Sequence, residues 1–181
     1  MPRALLLVDP QTDFITGSLP VPGAAAAMDA LAGFLQANPD RYALKIVTLD
    51  WHPWNHSSFK KHGGQWPPHC LSYTQGAAIW PALAPGLAAG GAELAFMPKG
   101  CSVDKDEFSI FQNEAAARRV SSLLKKARIR EVELCGLAGD VCVLATFKDA
   151  LAMERAPAIR LLKEFSPSLD GGKALSECLE S

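Results

Sequence analysis

The chain has little that would carry it out of an aqueous compartment or onto a charged polymer. None of its apolar runs approaches the roughly 20 residues needed to cross a bilayer. The first of them, Ala4 to Val8, is too short for a signal h-region and ends at Asp9. Charge of one sign is also missing: the formal net charge is -1 over 181 residues, which gives no electrostatic reason to expect nucleic acid or an anionic membrane as partner. The cysteines number 5, an odd count, and none forms a Cys-x-x-Cys pair. Without a secretory signal such thiols are expected to be reduced, and the expected compartment is the cytoplasm. No repeat, low-complexity tract or linker divides the sequence. A single domain spanning 1–181 is therefore expected, and 49% hydrophobic against 20% charged residues suffices for one core. Self-association is left open.

What is present is a recurring pair: a short apolar, β-favouring run, then a helix-like stretch. The runs begin at Ala4, Lys45, Glu93, Glu131 and Ala158, and several are apolar on successive residues, as parallel strands covered on both faces are. Helices are expected over Ala24–Gln36, Asn113–Ala127 and Val141–Glu154. The alternation predicts an α/β domain with a mainly parallel sheet. The stretch from about 50 to 91 fits neither pattern. It is rich in Pro, Gly, His and Trp, and a loop of that length in a compact domain is usually functional.

Ligands of open α/β sheets sit at the carboxyl ends of the strands. Asp9 follows the first run, Asp50 the second, Lys99 the third, and Gly136-Leu-Ala-Gly-Asp-Val-Cys142 the fourth. Taken singly, an Asp there is a turn residue, a Lys a solvated surface group and a Cys a small buried hydrophobe. Their coincidence at one rim is the signal. Asp140 reads as a helix cap, which puts the Cys142 thiol near a helix N-terminus, where free N–H groups favour thiolate and can hold an oxyanion. In Asp50-Trp-His52, residues i and i+2 of an extended segment face one way and can grip one cation. His69, in Trp66-Pro-Pro-His69-Cys70, completes a two-His, one-carboxylate set suited to zinc, iron or manganese. His56 is a possible further ligand, and His62 reads as solvated.

These motifs, with Leu7-Val-Asp9-Pro-Gln-Thr-Asp-Phe14 and Asp50-Trp-His-Pro-Trp-Asn-His56, together resemble the nicotinamidase/pyrazinamidase group of the isochorismatase-like cysteine hydrolases. The resemblance runs to about Leu162. It implies a three-layer α/β/α sandwich and a catalytic triad of Asp9, Lys99 and Cys142. It also implies one divalent metal, zinc ahead of iron or manganese, on Asp50, His52 and His69. Further implications are substrate contacts from Phe14, Leu19, Val21 and Trp66, an oxyanion hole from the backbone of Ala138 and Cys142, and a cis peptide at Leu137–Ala138. The expected reaction is hydrolysis of nicotinamide, and of pyrazinamide, through a cysteine thioester, in NAD salvage. The expected partner is a small heteroaryl amide. Three positions depart from the group. Gly139 stands where many members carry Thr, a change expected to loosen that turn. Phe108 stands where Tyr is common, and no carboxylate lies between His52 and His69 to supply the Glu ligand of some relatives. Two rivals remain: an amidohydrolase of the same superfamily acting on a carbamoyl or ureido compound, and a metal-stabilised binding module without turnover.

Overall fold

A computed structural model describes residues 1–154 and 156–180. The strands are β1 (Arg3–Val8), β2 (Leu44–Asp50), β3 (Glu93–Lys99), β4 (Glu131–Gly136) and β5 (Ala158–Leu161). The helices are α1 (Ala24–Ala37), α2 (Leu83–Ala88), α3 (Glu114–Lys126), α4 (Leu144–Leu151) and α5 (Lys173–Glu180). The strands form one parallel sheet in the order β3-β2-β1-β4-β5. Among the described residues no helix is long and apolar enough to cross a membrane.

Side chains alternate across β1, and this alternation builds the layers. Leu5 and Leu7 pack with Met28, Leu31 and Leu35 of α1 and with Leu83 of α2. Ala4, Leu6 and Val8 pack on the opposite face with Val120 and Leu124 of α3, Phe147 of α4 and Leu175 of α5. Both faces of the central strands are thereby dry, which explains their unbroken apolar runs. β3 and β5 lie at the edges and are half-exposed, and Pro98 sits on edge strand β3, where a missing N–H is tolerated. The expected three-layer α/β/α sandwich is what the chain forms.

Two helices were not expected. The six-residue α2 lies inside the irregular 50–91 stretch, where its end is held by a buried cation. Lys45, near the start of β2, donates to the carbonyls of Gly86, Leu87 and Ala89 at 3.0, 3.1 and 2.7 Å, satisfying groups that a helix end otherwise leaves unpaired. α5 follows the region of family resemblance and packs through Leu175. The helix expected over Val141–Glu154 is shorter and begins differently. A π-helical turn, Gly139–Val143, precedes α4, which stops at Leu151.

The order of the strands places a crossover reversal between β1 and β4, since the chain runs outward from β1 to one edge and from β4 to the other. A crevice outside the carboxyl ends of two such strands is the binding position this sheet type supplies. Asp9 follows β1 there, and Cys142 lies in the turn after β4.

Candidate active site

Lys99 ends β3 with its ammonium wholly buried. The register of β2 against β3 pairs it with Asp50, and the Asp50 carboxylate accepts a short hydrogen bond from it through Oδ1. Asp9 Oδ2 lies 2.8 Å from the same ammonium, the Glu107 carbonyl accepts from it at 3.0 Å, and the Cys142 sulfur lies at 3.5 Å. Acid, base and thiol meet as the rim argument expects. Asp9 itself is held in a left-handed conformation (φ 47°) by its N–H on the Thr48 carbonyl, while the Thr48 hydroxyl donates to Asp9 Oδ1 at 2.6 Å. Asp9 Oδ2 makes its ion pair without an aligned hydrogen bond, so a lone pair remains for a proton from sulfur.

Protonation follows from burial. Desolvation, helped by the nearby Asp50 charge, pushes the Asp9 carboxyl up despite Lys99. Desolvation would lower Lys99, yet Asp50 and Asp9 outweigh it and hold the ammonium charged. Burial pushes the Cys142 thiol well above its ordinary value; Lys99 opposes this and the two carboxylates add to it. Dehydration and the two carboxylates thus oppose the thiolate that a helix terminus favours, and Lys99 supports it. The expected cap is corrected. Asp140 caps no helix; its two oxygens accept the N–H groups of Leu169 and Asp170, each at 3.0 Å.

The turn at Gly139 is closely packed. A Cβ there would lie 2.2 Å from Ser168 Oγ and 2.5 Å from the Ser166 carbonyl, and the Gly139 N–H donates to the Pro167 carbonyl at 2.8 Å. The volume of a side chain at 139 is taken by the 166–168 segment instead. The Leu137–Ala138 peptide is cis, as the resemblance implies.

Asp50 faces a second constellation with its other oxygen. Its Oδ2 lies 3.4 Å from His52 Nε2 and 3.8 Å from His69 Nε2. The far ring nitrogens are engaged by backbone: His52 Nδ1 donates to the Gly100 carbonyl at 2.9 Å and His69 Nδ1 to the Pro67 carbonyl at 2.8 Å. Both Nε2 lone pairs then point at one spot beside a carboxylate, the arrangement in which imidazoles are oriented for a divalent metal. The donor set fits the group. Burial opposes the Asp50 charge, but the Lys99 ammonium holds its carboxyl well below the usual range. His56 does not join this set. Its Nδ1 meets the Ser58 hydroxyl at 2.7 Å, its Nε2 the Lys105 carbonyl at 3.2 Å, and its ring lies 4.2 Å from that of His52, grouped with Asp106.

A cleft opens over these groups. Phe14, Leu19, Val21 and Trp66, the expected substrate contacts, line it together with His69, Asp50, Ala138 and Cys142. Asp106, Phe108, Val141 and Leu169 also line it, and of these only Phe108 drew notice in the sequence. Gln11 was missed in part. It lies in the quoted motif, but its work is visible only in three dimensions: its Nε2 donates to the Asp50 carbonyl at 2.7 Å and its Oε1 accepts the Asp50 N–H at 2.8 Å. Asp13 likewise holds the Cys70 N–H at 2.7 Å, fastening the His69 loop to the Phe14 turn.

An all-parallel five-stranded sandwich with acid, ammonium and thiol at its carboxyl rim defines the isochorismatase-like α/β class. The Isochorismatase domain matches residues 3–157, and the chain belongs to that family. Relatives include the nicotinamidase of Escherichia coli, 35% identical over 170 residues (84% of this chain, 78% of that protein). The nicotinamidase/pyrazinamidase of Mycobacterium tuberculosis is 34% identical over 154 residues (82% and 78%). Among solved structures, a zinc complex of the Pyrococcus horikoshii pyrazinamidase superposes with a TM-score of 0.82 at 30% identity, covering 99% of this chain and 96% of that one. An L. infantum structure in complex with nicotinate gives 0.81 at 30% identity, covering 99% and 87%.

Proposed function

We propose that this protein is a nicotinamidase, hydrolysing nicotinamide, and pyrazinamide as well, to the carboxylic acid and ammonia. The carrying observation is one juxtaposition: the Cys142 sulfur, Asp9 carboxylate and Lys99 ammonium meet beside the Asp50–His52–His69 set under an aromatic-walled cleft. The E. coli and M. tuberculosis relatives bear nicotinamidase names, which supports the same reading.

Asp9 takes the proton from Cys142 Sγ as the sulfur bonds to the amide carbon. Lys99 holds both groups in place and balances the charge that moves from carboxylate to sulfur. The carbonyl electron pair moves to oxygen, and the backbone N–H groups of Ala138 and Cys142 hold the resulting oxyanion. Asp9 returns its proton to the amide nitrogen. The C–N bond breaks, ammonia leaves, and a thioester remains on Cys142. Water then adds to the thioester carbon with Asp9 taking its proton, and the thiol departs with that proton as the acid forms. Phe14 and Trp66 flank the heteroaryl ring, and Leu19 and Val21 close its apolar side. Asp50, His52 and His69 would hold a divalent ion, zinc for preference, which would supply a Lewis-acidic anchor for the ring nitrogen. The acid produced enters NAD salvage.

The test is ammonia release from nicotinamide, pyrazinamide and an N-carbamoyl compound by the metal-loaded protein and by Cys142→Ala. Turnover of the two heteroaryl amides, lost by several orders of magnitude in the variant, is the expected result. Near-normal release by Cys142→Ala ends the covalent mechanism. Preference for the N-carbamoyl compound ends the nicotinamidase reading.

A further inference from the structure

We propose that Glu107 is a positioning residue that sets the Lys99 ammonium and the His52 imidazole together, through the intervening Gly100 peptide. Its carboxylate is nearly wholly buried (side chain 5% exposed) although it touches neither the thiol nor the metal-binding set. Glu107 Oε2 accepts the Gly100 N–H at 2.9 Å, and the Glu107 carbonyl accepts from Lys99 Nζ at 3.0 Å. One residue therefore grips both ends of the Lys99–Gly100 unit. Gly100 in turn presents its own carbonyl to His52 Nδ1 at 2.9 Å, the bond that fixes which imidazole nitrogen faces the metal position.

Geometry leaves this unit little choice. Gly100 has φ +64°, and a Cβ there would stand 2.5 Å from His52 Cε1. Only a bare backbone in a left-handed conformation lets the peptide lie against the ring. Such a peptide needs an acceptor for its N–H, and Glu107 is that acceptor. The ammonium shows the complementary need. Its hydrogen bonds go to Asp50, the Glu107 carbonyl and the Cys142 sulfur, and the Glu107 carbonyl orients Lys99 without neutralising it. Glu107 also meets Lys105 at 2.9 Å, but that lysine side chain is 55% exposed and such a pair contributes little. The hydrogen bond to Gly100, rather than the negative charge, is what positions the site.

Two variants separate these terms. Glu107→Gln keeps an oxygen for the Gly100 N–H and removes the charge, whereas Glu107→Asp keeps the charge and is one methylene too short to reach. Zinc affinity is measured by chelator competition without substrate, and kcat and KM on nicotinamide are measured at saturating zinc. Glu107→Asp and Glu107→Ala are expected to weaken zinc binding about ten- to a hundredfold, with kcat falling comparably and KM changing less. Glu107→Gln is expected to stay within about threefold of the unsubstituted protein on every readout. Should Glu107→Ala fail to fold, the Asp and Gln variants decide alone. Unchanged zinc affinity and kcat in Glu107→Asp overturns the inference, as does a Gln variant impaired as badly as the Asp variant. The activity arm rests on the nicotinamidase reading; the zinc arm does not. An unsubstituted protein that binds zinc yet releases no ammonia removes that reading and leaves zinc affinity to judge Glu107.

Discussion

Asp50 and Lys99 are register partners across β2 and β3, and Asp50 divides its carboxylate between the Lys99 ammonium and the two imidazoles. One oxygen thus belongs to the proton-transfer group and the other to the metal group. Asp9, which also pairs with Lys99, is not grouped with either imidazole.

That difference predicts a split between two similar variants. Asp9→Asn removes the proton acceptor and is expected to lose turnover by orders of magnitude with zinc affinity close to normal. Asp50→Asn removes a direct ligand and is expected to lose both, with zinc weakened by more than about a hundredfold, beyond the effect of perturbing an outer partner. Zinc-dependent shifts in melting temperature report the affinities. Equal zinc stabilisation in the two variants would refute the divided role.

The strand runs and the residues after them were readable because a dry parallel sheet demands apolar residues on both faces and places its chemistry at its carboxyl rim. Asp9, Asp50, Lys99 and Cys142 are visible by that logic alone. His52 and His69 needed only the i, i+2 rule and a neighbouring loop. Glu107 and Lys45 were not visible, because each acts on the backbone of a distant segment and backbone acceptors leave no mark in the side-chain pattern. α2 was hidden for the same reason, its end being held by Lys45. Asp140 misled because an acid just before a helix usually caps it, whereas here the returning 169–170 backbone supplies its donors.

Away from the rim, Glu133 on β4 is fully buried and accepts from the Arg41 Nε at 2.8 Å and from the Tyr42 hydroxyl at 2.6 Å, with a second, shorter bond from Arg41. Burial opposes its charge, yet these donors hold its carboxyl below the ordinary glutamate value. A depressed folded-state value means that the unfolded chain takes up the proton first. The stabilisation is complete above the unfolded value, about 4.3, and disappears as pH falls through the folded one. Urea midpoints stepped from about pH 7 to about pH 3 are expected to fall on the acid side. Glu133→Gln is expected to start lower at neutral pH, because Arg41 loses its counter-charge, and to fall less steeply. Matching acid slopes in the two proteins would mean that Glu133 does not govern this limb.

The turn that carries Cys142 is braced from outside, and the brace can be tested without touching the sulfur. At Gly139 a methyl group would meet Ser168 Oγ at 2.2 Å and the Ser166 carbonyl at 2.5 Å, and the second contact is backbone that cannot rotate away. Gly139→Ala is expected to lower stability by about 1–3 kcal/mol and to lower kcat, since moving the 166–168 segment also disturbs the Gly139 N–H bond to Pro167 three residues before the nucleophile. Ser168→Ala is expected to be neutral or slightly stabilising, because its buried hydroxyl has no hydrogen-bond partner among the described residues. Combining Gly139→Ala with Ser168→Ala removes the first clash and leaves the second, so rescue is expected to be partial and the two changes coupled rather than additive. Denaturant midpoints and kcat for the three proteins measure this directly. Full rescue would place the whole constraint in the Ser168 side chain; no rescue would place it in the backbone of Ser166, and either result locates what holds the nucleophile turn in place.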